Sequence, residues 1–105
     1  MIIGTYKIVS GRRVIIPKEA REHIDKEYQL SAKSGEVYIT PLHSHITGAD
    51  DLGSRKLYEN AGKMWAVLPK KAMQALNLGE TKSVWIFHTF FDGTKATILR
   101  RAENE

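Results

Sequence analysis

Cysteine is absent from this chain of 105 residues, and other features that define large classes of protein are missing too. Without cysteine the chain cannot form a disulfide, a thiolate metal site or a cysteine nucleophile. No apolar run approaches the roughly 20 residues that a membrane-spanning helix needs, and the first residues lack the pattern of a secretion signal. We therefore expect a soluble, cytoplasmic protein with no membrane partner.

Catalytic motifs are also missing. No nucleophile stands at a spacing that suggests a neighbouring base, no glycine-rich loop is suited to phosphate, and no two carboxylates form a catalytic pair. His43 and His45 could present two imidazoles to a metal, but nothing indicates a third ligand. We expect no enzyme, no catalytic residue, no metal site and no cofactor, and we expect His23 and His88 to be packed, structural side chains.

What the chain does contain is an internal repeat. Residues 11–20, GRRVIIPKEA, and residues 62–72, GKMWAVLPKKA, share a glycine, basic residues, an apolar run, a proline, a lysine and an alanine. Pro17 and Pro69 are 52 residues apart in the sequence. Two copies are too few for a solenoid and indicate a pseudo-dimer within one chain. We divide the chain into a first repeat (1–42), a polar linker (43–54) and a second repeat (55–105).

Each repeat has the pattern of a strand, a turn, a second strand, a short helix and a hairpin. The β-rich runs are TYKIV and RVII in the first repeat, and KLYE and MWAVL in the second. Each proline stands where the first residue of a helix needs no amide donor, which predicts short helices in PKEAREHID and PKKAMQALNL. The predicted fold class is therefore mostly β with short helices.

The two repeats end in hairpins of different character. The first turns at Ser34–Gly35, with Lys33 opposite Glu36, and only one of its faces is apolar. The second turns at Asp92–Gly93, and its strand pairing sets Trp85, Ile86 and Phe87 opposite Arg100, Leu99 and Ile98. Both of its faces are apolar, with Trp85 and Phe87 on one side and Val84, Ile86 and Phe90 on the other. Such a strand pair needs a cover, which is either the other repeat or a protein partner.

Positive charge is concentrated at the same place in each repeat. The formal net charge is +4, and residues 1–21 and 53–71 each contain five basic residues against a single glutamate. If the repeats are related by a two-fold axis, the two clusters could form one surface suited to the phosphates of a duplex. The alternative is a solvated basic surface with no partner. The candidate DNA-binding residues are Lys7, Arg12, Arg13, Lys18, Arg21, Arg55, Lys56, Lys63, Lys70 and Lys71.

The expected roles of these residues differ. Arg12 and Arg13 follow a turn and could bind phosphate or a guanine edge. Lys18, Lys70 and Lys71 stand at predicted helix starts, where an anion is favoured. We expect Trp65 to be a core residue, and the alternative is a base-stacking side chain.

At SGRRVIIPKEAREHI and at GKMWAVLPKKAMQALNLGETKSVWIF the chain resembles the AbrB/MazE/SpoVT family of swapped-hairpin DNA-binding domains. The resemblance implies that two copies exchange their hairpins to form one β-barrel with short helices at its sides. Here one chain could supply both copies. The first copy departs from the family spacing by one residue, so either Arg12 or Arg13 could take the family's arginine position. Lys63 stands there in the second copy.

The resemblance implies a transcriptional regulator that binds double-stranded DNA, and we expect a homodimer. Two alternatives remain at this stage. One is an antitoxin-like protein that binds a toxin, and the other is a structural or assembly module that uses the second hairpin as an interface. The charge pattern does not separate DNA from RNA.

Overall fold

The computed structural model describes residues 2–33, 35–78, 82–91 and 93–102. Within them the chain forms nine strands and two short helices, in the order β1 (Ile2–Lys7), β2 (Arg13–Ile15), a 3-10 helix (Lys18–Arg21), β3 (Glu27–Lys33), β4 (Glu36–Thr40), β5 (Asp50–Lys56), β6 (Tyr58–Asn60), β7 (Lys63–Val67), α1 (Lys70–Leu76), β8 (Ser83–Phe91) and β9 (Thr94–Arg101). The protein is mostly β, as the sequence predicts. The predicted turn residues Ser34 and Asp92 lie outside the described residues.

The strands form two antiparallel sheets. The larger sheet has six strands in the order β1-β8-β9-β4-β3-β5, and the smaller one has three in the order β2-β7-β6. The closed barrel that the family resemblance implies is not found. In the part of the chain that the structure describes, β1 and β5 stay at opposite edges of the larger sheet, and neither forms a ladder with the smaller one.

Strands from the two halves of the chain pair with each other in both sheets. In the larger sheet β1 pairs with β8, β4 with β9, and β3 with β5. In two of the strand ladders, residues that hold equivalent positions in the two halves are directly opposite each other. Val14 pairs with Ala66, each three residues before a proline, and Ile39 pairs with Thr97, each four residues after a hairpin glycine. Read from either edge, the larger sheet begins with the first strand of one half and continues with the hairpin of the other half.

The main core lies between the two sheets and beneath the helices. Its fully buried members alternate along the strands, as side chains on one face of a sheet must. Burying them stabilises the fold by roughly 1.5–3 kcal/mol for each large apolar side chain. The largest are Val14, Ile16, Tyr28, Leu30, Val37, Ile39, Leu68, Leu76, Val84, Ile86 and Leu99.

The hairpins confirm their predicted registers and differ from the predicted burial. Lys33 is opposite Glu36, and Trp85, Ile86 and Phe87 are opposite Arg100, Leu99 and Ile98. The polar face of the first hairpin is nevertheless buried, because residues 41–49 lie over it and Ile46 packs on Tyr38 and Ile98. On the second hairpin Phe90 is 63% exposed, so its predicted burial is wrong. It stands beside the hairpin turn, beyond the reach of the core.

Two other segments depart from the expectation. Residues 50–54, predicted to belong to the linker, form most of β5 and pair with β3. The helix predicted after Pro17 is shortened to four residues of 3-10 helix, whereas seven residues of α-helix follow Pro69. No helix in the described ranges is long and apolar enough to cross a membrane.

Candidate nucleic-acid interface

The three-stranded sheet turns one face to the core and the other to solvent. Val14 and Ala66 are fully buried on the inner face. Because side chains alternate along a strand, their neighbours Arg13 and Trp65 point outward and are partly exposed. Lys63 is exposed on the same outer side. The pairing of β2 with β7 therefore brings basic residues of the two repeats onto one surface.

Arg13 and Trp65 form the centre of this surface. The Arg13 guanidinium carbon lies 5.1 Å from the centroid of the Trp65 ring, a cation–π contact. Arg13 Nε donates a hydrogen bond to the Ser10 carbonyl at 2.9 Å, and Trp65 Nε1 donates to the Asn60 carbonyl at 3.3 Å. The prediction that Trp65 belongs to the core is wrong, because Ala66 takes the inward position and directs its neighbour outward.

Two more arginines are fixed at the ends of the β2–β7 pair. Arg21 Nε donates to the Ile16 carbonyl at 3.0 Å, and Arg12 Nε donates to the Leu68 carbonyl at 2.8 Å. Ile16 and Leu68 are equivalent residues, since each directly precedes a proline. Each arginine reaches its carbonyl from a different direction, one from the 3-10 helix and the other from the turn before β2. The same backbone position is therefore occupied by an arginine in both halves.

The spacing of these two anchors follows from the strand register. The Leu68 amide donates to the Arg12 carbonyl, and the Ile16 amide donates to the Met64 carbonyl. Arg12 and Ile16 are four residues apart, which corresponds to about 13 Å along a strand. Within the described residues, the hydrogen bonds of Arg12, Arg13 and Arg21 use Nε, and their terminal nitrogens form no ion pair. Those nitrogens are available to an anion.

We call the outer side of β2, β7 and β6, together with Arg12 and Arg21 at its ends, the basic face. The strands β2, β6 and β7 contain one carboxylate, that of Glu59, against Arg13 and Lys63. Lys18 and Lys70 are exposed first residues of the 3-10 helix and α1. These helices are too short for a strong dipole, so any anion contact there belongs to the lysine side chains themselves.

The remaining predicted residues belong to the larger sheet and to a neighbouring cleft. Lys7 ends β1 opposite Ser83. Arg55 and Lys56 end β5, opposite Tyr28 and Glu27. Burial raises the pKa of Tyr28 to about 12, and the nearby positive charge of Arg55 opposes that increase. The structure therefore does not include Lys7, Arg55, Lys56 or Lys71 in the basic face.

Lys71 lines a cleft of about 940 Å³ between α1 and the first hairpin. Arg100 and Arg101 also line it, but so do the carboxylates of Glu36 and Asp50. Glu36 forms an ion pair with Arg100 and accepts a hydrogen bond from Tyr38. The cleft is therefore of mixed charge, unlike the basic face.

The histidines do not assemble a metal site in the described part of the chain, where no group of three or more His, Cys, Asp or Glu side chains is suited to a metal ion. His43 and His45 are both exposed. His23 does have the predicted structural contact, since its Nε2 lies 3.2 Å from the Ile39 carbonyl. His88 packs edge-on against it, with the ring centroids 5.7 Å apart.

Comparisons of this chain with protein-family models, with curated proteins and with solved structures found no match. The resemblance to the swapped-hairpin family therefore remains a prediction from the quoted motifs.

Proposed function

We propose that this protein binds double-stranded DNA through the basic face and acts as a transcriptional regulator. The observation that carries the proposal is the pairing of β2 with β7, which joins the basic segments of both repeats on one solvent-facing surface. Arg13 and Lys63 project from that surface, whereas Glu59, the one carboxylate of its three strands, is opposite Met64 and therefore belongs to the other side of the sheet. Such a surface suits the high negative charge density of a duplex.

The spacing of the anchored arginines supports a specific mode of contact. A major groove is about 12 Å wide and admits a two-stranded β-ribbon. The β2–β7 pair forms two of the three strands of the smaller sheet, and the two arginines anchored to its carbonyls are separated by about 13 Å along the strand. Arg12 and Arg21 would then bind phosphates on the two sides of the groove. Arg13, fixed over Trp65, would point toward the base edges between them.

The fold proposal is a swapped-hairpin arrangement of two repeats in one chain. It is supported by the strand order of the larger sheet, in which the first strand of each half lies beside the hairpin of the other half. It is supported further by the equivalent pairs Val14–Ala66 and Ile39–Thr97. In this arrangement each repeat lacks a complete sheet without the other, so the two fold as one unit.

The decisive experiment is a fluorescence-anisotropy titration of duplex DNA at several salt concentrations. The double variant Arg12→Ala, Arg13→Ala should bind more weakly than the unchanged protein. It should also flatten the slope of log affinity against log salt by about 0.9, because Arg12 is the phosphate contact of the two and each lost phosphate contact removes about 0.9. Unlabelled single-stranded RNA as a competitor distinguishes a duplex-specific surface from a general polyanion surface.

The matched control is the double variant Lys33→Ala, Arg101→Ala. It removes the same charge from residues of the larger sheet that line the cleft beside α1. We expect it to leave the salt slope near that of the unchanged protein. Equal losses in the two double variants would indicate net charge alone, and the basic face would no longer be the binding surface.

A further inference from the structure

The two edges of the larger sheet differ sharply in charge. β5, with the sequence DDLGSRK, contains four exposed charged residues, which are Asp50, Asp51, Arg55 and Lys56. β1, with the sequence IIGTYK, contains a single charge at Lys7. Proteins commonly protect an edge strand against pairing with another chain by charges and bulges. By this criterion β5 is protected and β1 is open.

A bulge protects β5 further. The register of β5 on β3 shifts between Gln29 and Ser31, and Gly53 in this region has a φ of 89°. The Gly53 amide donates to Asp51 Oδ1 at 2.9 Å, and Asp51 Oδ1 also accepts from Gln29 Nε2 at 2.8 Å. One edge amide is therefore already satisfied within the chain. The irregularity of β1 is confined to its beginning, between Ile2 and Gly4, so the rest of that strand is regular.

The outward backbone groups of β1 follow from its hydrogen bonding. The Ile8 amide donates to the Lys82 carbonyl at 2.8 Å. Bonding alternates along an antiparallel strand, so the backbone groups of Gly4 and Tyr6 also face β8, and those of Thr5 and Lys7 face away from the sheet. Among the described residues no strand pairs with this side of β1. Thr5 and Lys7 are both exposed.

We infer that β1 pairs antiparallel with β1 of a second copy of this chain, centred on Thr5. In this register Thr5 is opposite Thr5 of the second copy, a favourable cross-strand pair, and Lys7 is opposite Ile3. The two Lys7 positions are then four residues apart, about 13 Å along the strand, which exceeds the screening length of about 8 Å at physiological salt. The charges of two β1 strands therefore do not oppose this pairing. A closed two-fold dimer is also the commonest form of assembly.

The outer face of the sheet favours the same partner. Trp85 is directly opposite Thr5 on β8, and both Trp85 and Phe87 are partly exposed. A second copy would extend the sheet on the far side of Thr5 and bring its own Trp85 onto the same outer face. The apolar surface of the second hairpin would then continue across the dimer, instead of ending at an edge.

The dimer has a geometric consequence for binding. Antiparallel strands in one sheet are related by a two-fold axis perpendicular to that sheet, so each face of the sheet stays on its own side. The two three-stranded sheets would therefore lie on the same side of the dimer, and both basic faces would point the same way. This consequence rests on the proposed function, whereas the dimer itself does not.

Light scattering across a dilution series tests the dimer directly. Thr5→Glu and Thr5→Lys each set like charges opposite one another across the two-fold axis, and we expect each variant alone to have the monomer mass. An equimolar mixture of the two should recover the dimer mass, because Glu then faces Lys. The matched control is Lys56→Glu, since Lys56 faces outward on β5 next to Leu57, whose amide donates to the Lys26 carbonyl. It should leave the dimer intact.

Hydrogen exchange of the unchanged protein gives a second measurement that needs no variant. The amides of Thr5 and Lys7 should exchange more slowly at high protein concentration than at low, while the outward amide of Lys56 should not respond. A monomer mass throughout the dilution series would overturn the proposal. So would a dimer that survives in both Thr5 variants, or a mixture that does not reassociate. A monomer that still binds DNA with a steep salt slope would overturn the dimer and leave the proposed function standing.

Discussion

The segments that follow the two prolines begin alike and are held in place by different forces. After Pro69, α1 buries Ala72 and Leu76 and contacts the first hairpin and β9, so its attachment is apolar. After Pro17, the 3-10 helix buries only Ala20. Ile24 adds a partly buried apolar contact, and the other contacts are polar: Thr97 Oγ1 donates to the Ala20 carbonyl at 2.5 Å, and His23 packs edge-on against His88.

The shared start of the two segments does not determine how far each helix continues. α1 is followed by the C-cap residue Asn77, whose amide still donates to the Met73 carbonyl and whose left-handed conformation, with φ 52°, turns the chain out of the helix. The first segment has Glu22 at the corresponding end, in the right-handed region. Its next residue, His23, turns toward the Ile39 carbonyl of the sheet. The first helix ends early because the His23 side chain makes a hydrogen bond to the Ile39 carbonyl of the sheet.

The largest expected effect is on the apolar attachment. Leu76→Ala should lower the free energy of unfolding by about 2–5 kcal/mol, because Leu76 is 1% exposed and the change leaves a cavity in the core. The equivalent residue of the first segment, Ile24, is only partly buried. We expect Ile24→Ala to cost less than half as much. Urea denaturation of the two variants measures the difference, and equal losses of stability would show that the two segments are held by the same forces.

A smaller effect, dependent on pH, should be confined to the polar attachment. Burial lowers the pKa of both His23 and His88, and the positive charge of Lys95 lowers both pKa values further. Hydrogen bonding to Ile39 opposes this for His23, and Ala20 and Glu22 oppose it for His88. The unfolded chain, with an ordinary histidine pKa of about 6.5, then takes up protons first. Stability should be full above about pH 6.5 and should decline as the pH falls below it.

Urea denaturation at a series of pH values checks this expectation. His88→Phe removes one of the two partly buried imidazoles and should reduce the loss of stability at acid pH. His45→Gln, which removes an exposed imidazole outside this contact, is the matched control. Hydrogen exchange should locate the acid-induced opening in residues 17–26 and leave α1 protected. A loss of protection that is equal in both segments would contradict the assignment to the histidine pair.

The smallest effect concerns the end of α1. Asn77→Ala should lower the free energy of unfolding by about 1 kcal/mol, since alanine tolerates the left-handed conformation poorly. Asn77→Gly should be nearly neutral. At the end of the first segment glycine should be the destabilising residue. Glu22→Gly should lower the free energy of unfolding by about 0.5–1 kcal/mol, because glycine has no advantage in the right-handed region and loses more backbone freedom on folding. The midpoints of urea denaturation distinguish these cases, and a stabilising Glu22→Gly would refute the proposed difference between the two ends.

The local parts of the fold could be predicted because short-range geometry determines them. A two-residue turn fixes which residues of a hairpin are opposite each other, so the pairs Lys33–Glu36 and Trp85–Arg100 follow from the sequence. Pairing between distant strands has no such local determinant. The polar residues of β5 resemble a linker because an exposed, charged edge strand needs little apolar content, and only its pairing with β3 identifies it as a strand.

The candidate site was predicted in part for the same reason. The basic residues next to the repeated prolines could be found from charge alone. The outward direction of Trp65 could not, because the run MWAVL is apolar throughout and its inward and outward positions look alike. Ala66, which is fully buried opposite Val14, occupies the inward position of that run. The arginine contacts with the carbonyls of Ile16 and Leu68 depend on β2–β7 pairing, which only the folded chain defines.

The anchoring of Arg12, Arg13 and Arg21 by their Nε atoms also bears on the entropy of binding. A free arginine side chain has about 2 kcal/mol of rotational freedom to lose when it is immobilised. Here part of that loss occurs when the chain folds, before any ligand arrives. The side chains of Lys18, Lys63 and Lys70 make no hydrogen bond to the described residues, so they still have their rotational freedom to lose on binding. The three arginines are therefore a rigid set of charges, and the lysines around them are an adaptable one.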